Sequence, residues 1–150
     1  MARLQDTKFR TVVDDLQDQI DALEIKRLRL EAELSGALDF SVPDDVADRN
    51  PNILTSERAL LNARQTDYTS RREGSGKILK QLKEELANLE RLYRQDIVAL
   101  IEVNRAKKAA SDAEAKFNEI GTQSELDLAE EYSATLQDLT ELRSCSLTQG

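Results

Sequence analysis

The side chains able to do chemistry in this chain are almost all carboxylates. Asp and Glu number 29 against 21 Lys and Arg, histidine is absent, and the single cysteine is Cys145. Without histidine the commonest general base and metal ligand is missing. The carboxylates interleave with Lys and Arg, and pairs such as Glu84–Asn88 and Asp112–Lys116 have the spacing of ordinary neighbours on a solvated helix face. A glycine pair, GSG at 74–76, lacks both the preceding strand and the lysine-serine ending of a phosphate loop. Cys145 has no catalytic partner in sequence, cannot form an internal disulfide, and falls in a segment (144–150) read as a disordered tail. The chain therefore reads as no enzyme, with no catalytic residues, no metal and no cofactor.

Those charged faces need long helices to carry them. A third of the 150 residues are charged, aromatics are scarce, and there are five glycines, two prolines and no tryptophan. That is the makeup of long helices and coiled coils. Such a chain buries a narrow seam, each Leu or Ile in it contributing roughly 1.5–3 kcal/mol. A net charge of -8 argues against nucleic acid and against an anionic membrane surface. No apolar run approaches the roughly 20 residues of a membrane span, and no signal peptide opens the sequence. The expectation is a protein soluble inside the cell or a soluble fragment of something larger.

Periodicity predicts a first helix over 4–36. Phe9, Val13, Leu16, Ile20, Leu23, Leu30 and Leu34 follow alternating steps of four and three, with Arg27 in the one polar slot. Asp14, Asp15, Asp18, Glu24 and Lys26 flank that stripe as solvated residues. Gly36 suits a left-handed C-cap. Residues 37–55 break the pattern as a linker, because Pro43 and Pro51 cannot sit inside a continuing helix. Phe40, Val42 and Val46 are apolar enough to pin it to a neighbour. Thr55 or Ser56 offers an N-cap oxygen for a second helix over 56–94.

The second helix is strong where Leu79, Leu82, Leu86, Leu89 and Tyr93 hold the heptad. Carried backwards, the frame meets Ser75, Arg72, Tyr68, Gln65 and Leu61, and two glycines that each cost a helix roughly 1 kcal/mol relative to alanine. Residues 70–77 are a soft joint, either a kink, a close-contact point or a frayed but continuous helix. A third helix over 97–143 carries Val103, Ala106, Ala110, Ala113, Phe117, Ile120, Ser124, Leu128, Thr135, Leu139 and Leu142 on one stripe. The irregular step between Ile120 and Leu128 resembles a stutter. Its alanines let a partner helix approach closely.

The stretch ERLYRQDIVALIEVNR, residues 90–105, decides between a rod and a hairpin. Carrying the frame on from Leu89 and Tyr93 puts Asp96 and Lys107 at core positions, so the frame fails. Asp96 is a good N-cap. A tight reversal is therefore expected at 94–98, with an uninterrupted helix as the competing reading. A reversal leaves Ile97, Val98 and Leu100 at an exposed apex, where apolar residues mark a contact surface. The fold class is all-α, a long antiparallel coiled-coil hairpin with an additional N-terminal helix, in one domain over 1–150. Both antiparallel folding-back and end-to-end stacking of the first helix fit the linker length.

Several stretches resemble the type I secretion periplasmic adaptors, the HlyD-type membrane fusion proteins. KRLRLEAELSG followed by DFSVP looks like their segment after the first lipoyl half, and SERALLNAR like the opening of their next helix. LYRQDIVALIEVNRAKKAASDAEAKF is similar to their hairpin tip, and EEYSATLQDLTELRS to the end of the returning helix. The resemblance runs from about residue 16 to 144. It implies a hairpin, about 60 Å long at 1.5 Å per residue, in the periplasm as part of an inner-membrane-anchored protein. The tip would dock on a TolC-type outer-membrane protein and the full-length protein would engage an inner-membrane ABC transporter, as a homo-oligomer in the assembled system. The implied tip surface is Leu92, Arg94, Asp96, Ile97, Val98, Ala99 and Leu100.

The family's arginine, leucine and serine tip signature falls on Asn88, Leu92 and Ala99, so only the leucine is kept. With alanine at 99, the capping box that Glu102 could complete is lost, and Asp96 is the expected substitute. The closing SCSLTQG does not resemble the family. An intracellular coiled-coil spacer or scaffold arm shares the heptads but predicts neither an apolar apex nor a Pro-rich linker. A nucleic-acid-binding helical arm expects a basic face, which this chain does not have.

Overall fold

Long stretches free of proline and rich in Ala, Leu, Glu, Lys and Arg become helix from end to end, because these side chains lose little freedom there. The computed structural model describes residues 2–149. In chain order these form α1 (Ala2–Ser35), α2 (Asp44–Arg49), α3 (Pro51–Arg94) and α4 (Leu100–Gln149). The fold is all-α, long helices packing against each other, with no strand among the described residues. Two compact units make it up: Met1–Gln65 with Asp127–Gly150, and Thr66–Leu126.

In the first unit, α1 lies beside α3 and runs in the same direction. Arg49 and Asn50 bond to Asp21, Arg29 to Glu57, and Gln65 to the Ala37 carbonyl, with separations of 28 or 29 residues throughout. A shift of 28 is four heptads, so the two stripes face each other in register. Residues 36–50 must return the chain by about 12 residues of helix rise, or about 18 Å. Neither simple folding-back nor end-to-end stacking describes this arrangement. Against α4 the direction is reversed: Arg143 pairs with Glu24, and the Tyr132 hydroxyl donates to Glu31 over 2.8 Å. Ile25, Leu30, Leu61, Thr135 and Leu139 are buried among the three helices.

The linker folds more than its prolines suggest. Pro43 precedes α2, where Asp44 and Asp45 occupy the first turn and Arg49 the last, each favourable to the helix dipole. Pro51 opens α3 instead of blocking it, so α3 starts at Pro51, not at residue 56. At the first helical position the missing N–H costs nothing and the fixed φ is already helical. Thr55 lies inside α3, its hydroxyl bonded to the Pro51 carbonyl at 2.9 Å, and so is no N-cap. The Asn50 side chain donates to the Val46 carbonyl (3.1 Å) and to Asp21 (2.9 Å). Asp21 is buried and also accepts from Arg49 (2.8 and 3.0 Å) and Gln17 (2.8 Å), which clamps α2 and the start of α3 onto α1.

The α1 seam differs from the heptad expectation. Phe9 is 54% exposed, and Val13 and Leu34 are exposed as well, whereas Asp21, Ile25, Arg29, Ala32 and Glu33 are buried. Two partners on different sides, α3 and α4, bury more than one stripe between residues 20 and 33. The reversed register against α4 brings its described residues only as far as the middle teens of α1. Glu24 and Lys26, expected to be solvated, are half-buried for the same reason. Arg27 binds Glu24 and Glu31 on a half-exposed face (2.7 and 2.6 Å), and the buried arginine is Arg29.

In the second unit α3 and α4 are antiparallel. Lys83 lies 3.9 Å from Glu114, and Val103 and Ala110 are buried. Residues 70–77 are continuous helix with a close contact. A Cβ on Gly76 would stand 3.3 Å from Phe117 Cε2, while one on Gly74 would meet nothing within 4 Å. The Arg72 guanidinium sits over the same ring, 5.1 Å from its centroid. The tail expected at 144–150 is helix through Gln149, because nothing in SCSLTQ breaks it, and Cys145 is exposed on that helix. Gly150 lies outside the described residues.

Candidate docking surface at the helical turn

The chain reverses between Arg94 and Leu100, so α4 begins at residue 100 and not at 97. The backbone shows how α3 stops. Ile97 N–H bonds to the Leu92 carbonyl (2.9 Å) and Asp96 N–H to the Tyr93 carbonyl (3.0 Å), with Asp96 at φ +57°. This is a Schellman closure with Asp96 in the left-handed position usually given to glycine. The end of α1 has the same form: Ala37 bonds to the Ala32 carbonyl (2.9 Å), Gly36 to that of Glu33 (3.1 Å), and Gly36 has φ +76°. Asp96 therefore ends α3 and does not cap α4, which starts four residues beyond it. Ala99 flanks the first residue of α4 and accepts the Glu102 N–H at 3.1 Å.

Arg91 and Arg94 occupy the last turn of α3 and Glu102 the first turn of α4, each with the sign that its helix end favours. Ile97 is 63% exposed, Leu100 49% and Ile101 58%. Arg94, Asp96 and Ala99 are also exposed, while Leu92 and Val98 are half-buried. The turn thus brings the expected surface residues into one short segment, with Val98 turned partly inward. Ile101 was absent from the sequence-based set. Its signal was present, since both Leu100 and Ile101 fall off the stripe Val103–Ala106–Ala110. Just behind the turn, Leu82 and Leu89 of α3 and Ala106 and Ala109 of α4 line an open groove of about 510 Å³. Small alanines opposite leucines leave that hollow.

No group of three or more carboxylate or thiol side chains able to hold a metal occurs among the described residues. Among the described residues, no helix is long and apolar enough to cross a membrane. A family model described as AprE, long alpha-helical hairpin, matches residues 9–97, more than half of the chain. The chain belongs to the AprE long α-helical hairpin family. The match takes in most of α1, all of α2 and α3, and the turn as far as Ile97. Comparisons with curated proteins and with solved structures gave no match. Of the three positions that the resemblance to secretion adaptors matches to a tip signature, Asn88 and Ala99 are exposed and Leu92 is half-buried.

Proposed function

We propose that this chain is the helical hairpin of an AprE-type secretion adaptor, close to the HlyD-type membrane fusion proteins in its mode of action. The hairpin has a binding role and no catalytic one. In this reading the protein works in the periplasm, anchored at the inner membrane, where the full-length molecule engages an ABC transporter. The turn docks on a TolC-type outer-membrane duct, and several arms side by side continue the conduit for type I secretion. The observation that carries the reading is the bare apolar turn. Ile97, Leu100 and Ile101 present their side chains to solvent at the reversal of an AprE-type hairpin. Exposed apolar clusters of this kind mark interaction sites.

Ile97→Asp and Leu100→Asp put a charge where an apolar contact would form. Both positions are exposed, so helix content by circular dichroism should stay unchanged. Binding to the purified duct should weaken at least about tenfold for each, the cost of burying an unpaired charge. Unchanged duct binding by both variants would sink the docking role.

A further inference from the structure

Where α1, α3 and α4 meet in the first unit, five charged side chains form one cluster. Arg29 is 2% exposed. It donates to Glu57 through Nε and to Glu33 Oε1 through Nη1 (3.0 Å), and its Nη2 lies 4.0 Å from Glu131. Arg64 donates to Glu131 (3.1 Å), and its Nε lies 3.6 Å from Glu33 Oε1. The groups facing Glu33 are thus Arg29 from α1 itself, Glu57 and Arg64 from α3, and Glu131 from α4. Two guanidiniums meet three carboxylates, which leaves one negative charge uncompensated. Every cation that reaches Glu33 does so at Oε1. Its Oε2 is buried and has no hydrogen-bond partner.

We propose that this junction binds a proton at Glu33, so that α1 tightens against α3 and α4 as pH falls and loosens as pH rises. A proton taken from solvent onto Oε2 removes the surplus charge and leaves Oε1 free to keep accepting from Arg29. The half-exposed Glu131 carboxylate gives the cluster its contact with water. Burial pushes the Glu33 carboxyl above the usual glutamate range, against the pull of Arg64 and Arg29, and Glu131 adds to the push. The stability linked to Glu33 is therefore fully present below the ordinary glutamate value of about 4.3 and is lost as pH rises through the folded value. The device does not depend on how the turn is used.

Urea unfolding of the whole chain in a series upward from the ordinary glutamate value of about 4.3 to about pH 8 tests it. The wild-type midpoint should rise as pH falls, with the folding equilibrium changing by at most about tenfold per pH unit for a single proton. Glu33→Gln should flatten that slope and be at least as stable as wild type at the upper end. A wild-type midpoint that is flat or falls with acid, or a Glu33→Gln protein that keeps the slope, overturns the proposal. If the variant does not fold, a carbon-13 titration of the Glu33 carboxyl in the wild-type protein decides. A midpoint at or below about 4.3 would then overturn it.

Discussion

Asp96 carries the turn in a backbone conformation that side chains with a Cβ generally avoid. Its φ of +57° matches that of Gly36 at the other Schellman closure in kind, yet one position holds glycine and the other aspartate. Left-handed backbone costs most residues roughly 1–2 kcal/mol, and short polar side chains tolerate it best. Asp96→Gly should therefore stabilise the protein by about 0.5–1 kcal/mol, less than the full penalty because glycine also loosens the unfolded chain. A β-branched Asp96→Val should destabilise it by about 1–2 kcal/mol. Urea midpoints of both variants check this, and equal midpoints would mean the turn holds no such strain. The aspartate was legible as a breaker of the heptad. Its place at the end of one helix instead of the start of the next was not, because an N-cap and a left-handed C-terminal residue draw on the same amino acids.

At the scale of the helix, the GSG stretch separates propensity from packing. Both glycines weaken α3 locally by roughly 1 kcal/mol each relative to alanine. Gly74 faces open space, so Gly74→Ala should recover about 0.5–1 kcal/mol. Gly76 lies under Phe117, whose ring would have to give by a few tenths of an ångström to admit a methyl group. Gly76→Ala should recover less than half as much, and the difference between the two thermal midpoints measures the contact. The α4 stripe shows how well a heptad can be read when a single face carries the packing. Val103, Ala110, Thr135 and Leu139 are buried, and the other members of the stripe are half-buried. The α1 stripe could be read only in part. Two partners demand two faces, and the second is built from Asp21, Arg29 and Glu33, which no hydrophobic pattern reveals.

Across the whole molecule, buried acids act in opposite directions on stability. The Asp21 carboxyl is held below its usual range chiefly by the Arg49 guanidinium, against the effect of burial, with Asn50 and Gln17 also donating to it. Its contribution is present above the unfolded value of about 3.9 and is lost as pH falls through the depressed folded value. Asp21→Asn should thus lower the urea midpoint at neutral pH and shrink the loss of helix content on strong acidification. An acid limb identical to wild type would show that the clamp on α2 contributes nothing. Glu33 governs the milder range above this and Asp21 the strongly acid range below it, so the two variants can be told apart in one pH series.

From its sequence alone, this protein is all-helical, acidic and hairpin-forming, with an apolar turn just past Tyr93. Composition, heptad spacing and the failure of one frame to continue are local properties, and local propensity together with a period of 3.5 residues suffices to read them. Tertiary structure alone decided that α1 runs parallel to α3 at a shift of 28 residues. It also gathered Arg29, Glu33, Glu57, Arg64 and Glu131 into one cluster around the buried Arg29 and Glu33. Those outcomes depend on pairings between residues far apart in the chain. A salt-linked junction of three helices leaves no periodic trace in any one of them.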